Sequence, residues 1–397
     1  MSLGVDRRSF LSGVVGSALA APLALAAGTA EASGFAFEGK HQRGILAPKQ
    51  KSAAFLSFDV TAANRTELSD LMRSITARTR FLTVGGTPPS GGLAAPPSDS
   101  GTLGSRVVAD GLTVTTSLGS SLFDERYGLA ARKPAKLRPM EDFANDALRR
   151  DVCDGDLLLQ ICADNTDTVL HAVRDIARAT RGGMQVRWRQ DGFVPPPRPT
   201  GTPRNHMGFK DGTSNPDVSS AAEMNQLVWA NAGEPSWAAG GSYHVVRLIR
   251  MLVEFWDRID LTEQERMIGR RRDSGAPLTR SHEFDDPEYA NSDPSGDVIP
   301  MSAHIRKAND RSAGQLDTRI LRRGYNYDAG IDPNGNLDMG LIFVAFNRDL
   351  ERQFVAIQKR LADEPLVDYI SPFGGGYFYA LPGVRDRDDW LGRGLLT

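Results

Sequence analysis

The chain has 397 residues, 24% charged and 40% hydrophobic, with 47 basic against 49 acidic side chains and a net charge of −2. This is the composition of an ordinary globular protein, and its length suits one large or two modest domains. The even balance argues against a nucleic-acid or polybasic membrane partner. Past the N-terminus no apolar run reaches the ~20 residues that span a bilayer.

Asp6-Arg7-Arg8-Ser9-Phe10-Leu11 precedes a mildly apolar run, Val14 to Ala27, interrupted by Gly16, Ser17 and Pro22 and followed by Ala30-Glu31-Ala32. A basic start, a short apolar stretch and a small-x-small end predict a signal peptide over residues 1–32. The paired arginines followed by Phe-Leu resemble the twin-arginine export signal. That route carries folded proteins, which suits a cofactor inserted before export, and implies a periplasmic, cell-envelope or extracellular destination.

Ala53–Val60 reads as a strand, and Asn64–Arg80 as a helix with Leu68, Leu71, Met72 and Ile75 on one face and Asn64 as its cap. Gly85–Gly104, rich in Gly, Pro and Ser, reads as an exposed loop. Leu112–Leu118 and Asp156–Ala163 read as strands, Asn165–Arg181 as a helix and Met184–Arg189 as a strand. The order β-α-β-β-α-β is the ferredoxin-like one. The proline-rich crossing Phe193–Pro203 is the candidate boundary between halves spanning 33–200 and 201–397. The second half predicts strands at Tyr243–Phe255, Arg319–Tyr325, Met339–Phe346 and Gly376–Leu381, with helices at Thr262–Arg270 and Asp349–Ala362. Ser281–Ile299 reads as a solvated acidic loop. LLLQICADNTDTVLHAVRDIA and GLIFVAFNRDLERQFVAIQKRLA share the pattern strand, polar turn, amphipathic helix. The expectation is an α+β fold of two ferredoxin-like halves, antiparallel sheets with flanking helices, whose sheets share one core.

Cys153 and Cys162 lie nine residues apart along one extended segment, too far apart to bridge, so two free thiols are expected, Cys162 buried. No C-x-x-C-H or H-E-x-x-H occurs, which excludes c-type haem attachment and that zinc motif. Two stretches carry chemistry. Asn205–Pro216, NHMGFKDGTSNP, combines a turn at Asp211-Gly212 with glycines that permit close approach. Met301–Tyr327 holds His304, a polar turn Asn309-Asp310-Arg311, and Arg322 on a following strand. A histidine can ligate a metal, and an arginine reached through a turn can return to the same site.

The segments GFKDGTSNP, AHIRKAN and LRRGY, in that order, resemble the dye-decolourising (DyP-type) haem peroxidases, and within them the exported branch that includes the EfeB proteins associated with iron uptake. The resemblance covers nearly the whole chain after residue 32. It implies haem b, one per chain and held without a covalent bond, and the dimeric α/β-barrel-like fold of that family. It also implies His304 as proximal iron ligand, Asp211 as distal acid/base, and Arg322 as distal arginine. Gly212, Thr213 and Ser214 would line the haem face. Asn309, Asp310 and Arg311 would border the haem edge, with Arg311 suited to a propionate. Asp368 would be the carboxylate against the proximal histidine. Proline is usual where this chain has Asp310, and a carboxylate there would repel a propionate. His206, near Asp211 in sequence, is either a neighbour supporting it or an exposed loop histidine.

A positioned carboxylate can move a proton between the two oxygens of hydrogen peroxide, and an arginine can stabilise the charge that develops as they separate. The leading expectation is therefore a peroxidase using hydrogen peroxide and an organic (dye-like or phenolic) or metal-ion reductant. The alternatives are removal of iron from haem with the porphyrin spared, and a haem carrier without catalysis. Partners expected are peroxide, the reductant, iron-uptake or copper-handling proteins, and a second copy of the chain.

Overall fold

The structure is a computed structural model that describes residues 34–89 and 91–397. The expected signal, 1–32, lies outside the described residues. The first half runs β1 (Ser52–Val60), α1 (Arg65–Val84), β2 (Thr113–Gly119), β3 (Leu157–Ala163), α2 (Thr166–Ala179) and β4 (Met184–Phe193). α1 begins where expected because Asn64 accepts from Thr66 N and Glu67 N, filling two of the donors a helix start leaves open. In the second half, α3 (Ala221–Leu227) precedes β5 (Ser242–Met251), α4 (Val253–Trp256) and α5 (Leu261–Ile268). Then come α6 (Tyr289–Ser292), α7 (His304–Ala308), β6 (Leu321–Arg322), β7 (Tyr325–Ile331), β8 (Leu337–Asn347), α8 (Ala356–Leu361) and β9 (Ile370–Ala380).

All strand pairings are antiparallel, in the order β5-β9-β2-β3-β1-β4-β7-β8-β6, and β5 also pairs with β8. The sheet therefore closes on itself. Within it, β2-β3-β1-β4 and β7-β8-β5-β9 repeat one ferredoxin-like strand order, so the α+β expectation holds, with the two sheets joined rather than stacked. The seams are short: Ser117–Gly119 against Phe378–Ala380, and the single pair Phe193 with Asn326. Gln42 fastens the first seam by donating to Thr116 O (2.8 Å) and Leu381 O (2.9 Å) and accepting from Thr116 N (2.8 Å). One apolar cluster takes Phe55, Leu158, Cys162, Val246, Tyr325, Val344 and Phe378 from alternate strand positions. The other alternation packs Leu56, Leu159 and Ile161 against Leu68, Ile75, Val169 and Ile176 of α1 and α2. Period-two strands and 3.6-period helices place those side chains on opposite faces. Both cysteines are free and buried. Tyr325, Tyr327, Tyr377, Tyr379 and Trp390 are core residues, as packing predicts.

Of the differences from expectation, three lie near the site. The strand expected to reach Phe255 stops at Met251, because the next apolar residues form α4 and send Trp256 beneath the Asn205–Phe209 loop, where its indole donates to Met207 O at 3.0 Å. The strand expected over Arg319–Tyr325 breaks after Arg322: Arg323 turns to Ala47 O, and Gly324 O receives Lys49 Nζ at 2.9 Å. The helix expected over Asp349–Ala362 opens with a wide turn, Glu351–Val355, before α8. The acidic loop is not uniformly solvated. Glu283 and Asp293 are buried, and Asp293 accepts from Val298 N, Ile299 N and Arg306.

Candidate active site

His304 is the first residue of α7. Arg306 pins that short helix by donating to Ile299 O at 3.0 Å and pairing with Asp293, while Arg360 of α8 closes its far end through Lys307 O (3.0 Å) and Ala308 O (2.7 Å). The same α8 end brings Glu364 to His304: Nδ1 lies 2.7 Å from Glu364 Oε2, with the carboxylate 3% and the ring 31% exposed. Burial pushes the imidazole down, but the Glu364 charge and hydrogen bond outweigh it, with a smaller push down from Arg322, so His304 sits above the usual histidine value. Nε2 makes no hydrogen bond among the described residues.

This corrects one expectation. Asp368 is not the partner of His304: it is exposed, in the turn Pro365–Tyr369, while Glu364, four residues earlier, is buried against the ring. Asp310 is exposed beside Arg311, and its carboxylate accepts from Ser312 N at 2.8 Å, so it shapes the turn there. Asn309 holds the same turn by accepting from Arg311 N at 2.8 Å, which leaves Arg311 in the left-handed region at φ 65°.

Arg322 and Asp211 both act on the charge of His304, and Arg322 Nη1 donates to Asp211 Oδ1 at 2.9 Å, with the two side chains 28% and 26% exposed. Asn215 sets this meeting. Its amide donates to Arg322 O (2.8 Å) and accepts from Arg322 N (3.1 Å), clamping β6 to the loop that carries Asp211. Asn215 stands in the GFKDGTSNP segment, although its partner there could not be read from it; nothing in the sequence pattern singles out Glu364. His206 does not reach Asp211; its Nε2 lies 3.0 Å from Tyr327 O. Gly212, at φ 116°, keeps this turn open. Ser214 Oγ accepts from Arg311 (3.1 Å) and Arg270 (3.4 Å), so two guanidiniums meet at one neutral oxygen. Arg311 Nε is buried without a hydrogen bond, with Asp286 3.9 Å away.

No group of three or more histidine, cysteine or carboxylate side chains among the described residues could hold a bare metal ion. A single histidine with a free Nε2, under the charge influence of an open carboxylate–arginine pair, together with the guanidiniums of Arg270 and Arg311, of which Arg311 leaves Nε without a hydrogen bond, suits a metal that brings its own ligands and carries anionic groups. A haem does both, and these residues fit one.

The fold and this arrangement define a haem-dependent enzyme. Residues 42–194 match the Dyp-type peroxidase N-terminal domain and residues 202–385 its C-terminal domain. The chain belongs to the Dyp-type peroxidase family, and its cofactor is haem. It is 49% identical over 366 residues to the deferrochelatase of Yersinia pestis bv. Antiqua (strain Nepal516), covering 91% of this chain and 84% of that one. It is 48% identical over 410 residues to the deferrochelatase of Escherichia coli O6:K15:H31 (strain 536 / UPEC), covering 98% and 97%. Among solved structures it is similar to ferric DtpA from Streptomyces lividans, with 34% identity, TM-score 0.84 and coverage of 95% and 100%. It is likewise similar to a DyP-type peroxidase from Cellulomonas bogoriensis, with 36% identity, TM-score 0.82 and coverage of 92% and 99%.

Proposed function

We propose that this chain is a deferrochelatase-type enzyme: it takes up haem, releases the iron and leaves the tetrapyrrole intact, in a site built like that of a haem peroxidase. One observation carries the choice over peroxide-driven oxidation, which leads on sequence alone. Relatives called deferrochelatase are 48–49% identical over nearly the full chain, against 34–36% for the similar solved chains DtpA and the Cellulomonas peroxidase. His304 would ligate the iron of non-covalently held haem b, one per chain, with Glu364 orienting the ring. Arg311 and Arg270 would meet the propionates beside Ser214. Release of the metal leaves two pyrrole nitrogens to be protonated, and Asp211, a carboxylate open to the site and held by Arg322, is the group placed to carry those protons.

The second reading is peroxidase turnover of bulky organic or metal-ion reductants, and the Arg322–Asp211 pair favours it. Bound haem would supply the redox chemistry, while Asp211 would shift the peroxide proton and Arg322 would stabilise developing negative charge. A carrier needs neither residue. Export by the twin-arginine route to the periplasm, envelope or exterior suits either reading, as would iron-uptake or copper-handling partners.

Incubation of the purified protein with haem, followed by porphyrin fluorescence and chelator-trapped iron, tests the proposal. Free porphyrin with stoichiometric iron, abolished in Asp211→Asn, is expected. Intact haem recovered alongside peroxide-dependent dye oxidation selects the second reading. Unchanged haem binding in His304→Ala would sink both.

A further inference from the structure

Asp211 sits between two residues that are gripped by one buried carboxylate. Glu283, 7% exposed, accepts from Lys210 Nζ at 2.5 Å and from Thr213 Oγ1 at 3.1 Å, one position before and two positions after Asp211. It also accepts from Thr202 N at 3.1 Å and from Thr202 Oγ1, in the arm of the hairpin that faces Asp211. The hairpin itself is tied by Asp211 N donating to Pro203 O at 3.0 Å. Lys210 adds a bond to Thr200 O at 2.7 Å, and the ion pair is closed, with side chains 4% and 7% exposed. Gly201, at φ 78°, seats the carboxylate: a Cβ there would run into Glu283 Oε2.

The main chain at Glu283 reaches the other wall of the site. Its carbonyl accepts from Arg270 Nη1 at 2.8 Å, and Arg270 shares Ser214 with Arg311. By contrast, the Asp211 carboxylate has Arg322 as its one ion-pair partner among the described residues. A closed Lys–Glu pair adds little net stability, since the cost of removing two charges from water cancels most of their attraction. What such a pair can supply is a fixed location.

We propose that Glu283 is the positioning residue for Asp211, gripping Lys210 and Thr213 so that the Asp211 carboxylate stays where it exchanges protons with the site. This rests on the reading of Asp211 as the proton-carrying group. Glu283 itself meets no reacting atom, since its carboxylate oxygens are taken by the loop.

Three variants test it. Glu283→Gln keeps an oxygen for Thr202 and Thr213 but removes the charge facing Lys210. Glu283→Ala removes every side-chain bond. Lys210→Met with Glu283→Leu replaces the pair by apolar side chains, so that no unpaired buried charge threatens folding. Two readouts are used: amide hydrogen exchange over residues 208–215 in haem-free protein, and kcat for release of free porphyrin from added haem. The double variant is expected to keep its melting temperature and to keep haem affinity within about 3-fold. Its 208–215 amides should exchange at least about 10-fold faster, and kcat should fall by roughly 10- to 100-fold, the range that a misplacement of about 1 Å produces. Glu283→Gln should recover most of the kcat that Glu283→Ala loses. Unchanged loop exchange, or a kcat within about 2-fold of wild type, would overturn the proposal. Asp211→Asn, measured in parallel, keeps the two failures apart. If it turns over like wild type, the role given to Asp211 is wrong, and the exchange data still decide whether Glu283 holds the loop.

Discussion

On one side of the site His304 meets Glu364 at 2.7 Å, and on the other Arg322 meets Asp211 at 2.9 Å. In the first pair the carboxylate is sealed, at 3% exposure, and its nitrogen partner is the open member. In the second both members are about a quarter exposed. A sealed carboxylate hydrogen-bonded to a ring nitrogen fixes the tautomer and raises the basicity of the other nitrogen, which is what a metal ligand requires. An open carboxylate can gain and lose protons without rebuilding its surroundings. Two pairs of like composition are thus suited to opposite tasks, holding and reacting, and burial makes the difference.

The largest expected effects separate those tasks. His304→Ala should abolish haem binding, read as loss of the haem absorption band on titration. Asp211→Asn should bind haem with near wild-type affinity and lose roughly 10²- to 10⁴-fold in turnover. If Asp211→Asn lost binding to the same extent, the division into a holding side and a reacting side would be wrong.

Next in size is Glu364→Gln, which keeps a hydrogen-bond acceptor and removes the charge. Haem affinity should drop by about 10- to 100-fold, the usual cost of losing a partner behind a ligating histidine. The same variant has a pH signature in haem-free protein. Glu364, outweighing burial, raises His304 above its ordinary value. A raised histidine contributes stability that is fully present below the unfolded value, near 6.5, and is lost as pH rises through the folded value. Wild type should therefore exceed Glu364→Gln in melting temperature most clearly near pH 5–6 and lose that advantage on the alkaline side.

The two sides were unequally legible in the sequence. Asp211, His304 and Arg322 lie in three motifs whose order is informative, and the strand and helix periods that deliver them are strong. Glu364 lies 60 residues from His304, in a stretch, Asp363 to Asp368, that holds three acids with no local mark to choose among them. The choice is made by tertiary contact: Arg360 ties α8 to α7 and so decides which acid faces the ring. Glu283 likewise has no local mark, and Asn215, although it lies in a marked segment, shows its role only through a partner about 110 residues away, as Glu283 does through one about 70 away. The break after Arg322 was hidden for a different reason. Adjacent strand residues point to opposite faces, so Arg322 and Arg323 read as one continuous strand. Only the distant partners, Asp211 for one and Ala47 O for the other, show that the regular pairing lapses there, with Arg323 N still donating to Val344 O, and resumes at Tyr325.

A smaller effect sharpens the reacting side. Lys49 borders the cleft behind Asp211 and donates to Gly324 O at 2.9 Å. Burial pushes its amine down to about 8, although Asp211 draws it back up. With the folded value below the unfolded one, near 10.5, the unfolded chain binds more protons between about pH 8 and 10.5, so the penalty is full below pH 8 and is relieved as pH rises through that window. Lys49→Met should thus stabilise the protein by on the order of 1–2 kcal/mol at pH 7, with the gain fading towards pH 10 in chemical denaturation. A gain of the same size at both pH values would mean that packing, not charge, is responsible.

The smallest expected effect is the most pointed. Family resemblance would put a carboxylate against His304 at Asp368; in the structure the carboxylate hydrogen-bonded to His304 is Glu364. Asp368 is exposed in a single turn of 3₁₀ helix and has no hydrogen bond or ion pair to His304, so Asp368→Asn removes a solvated charge and leaves the ring's partner in place. Such surface changes usually lie within about 0.5 kcal/mol, and haem affinity and turnover should stay within about 2-fold of wild type. Compared with Glu364→Gln under one titration protocol, the pair forms a strict choice. A loss of affinity in Asp368→Asn with none in Glu364→Gln would mean that α8 and the turn after it sit one helical turn away from where they act. The reverse result would make the sealed carboxylate, and with it the contrast between the two sides of the site, a property of Glu364.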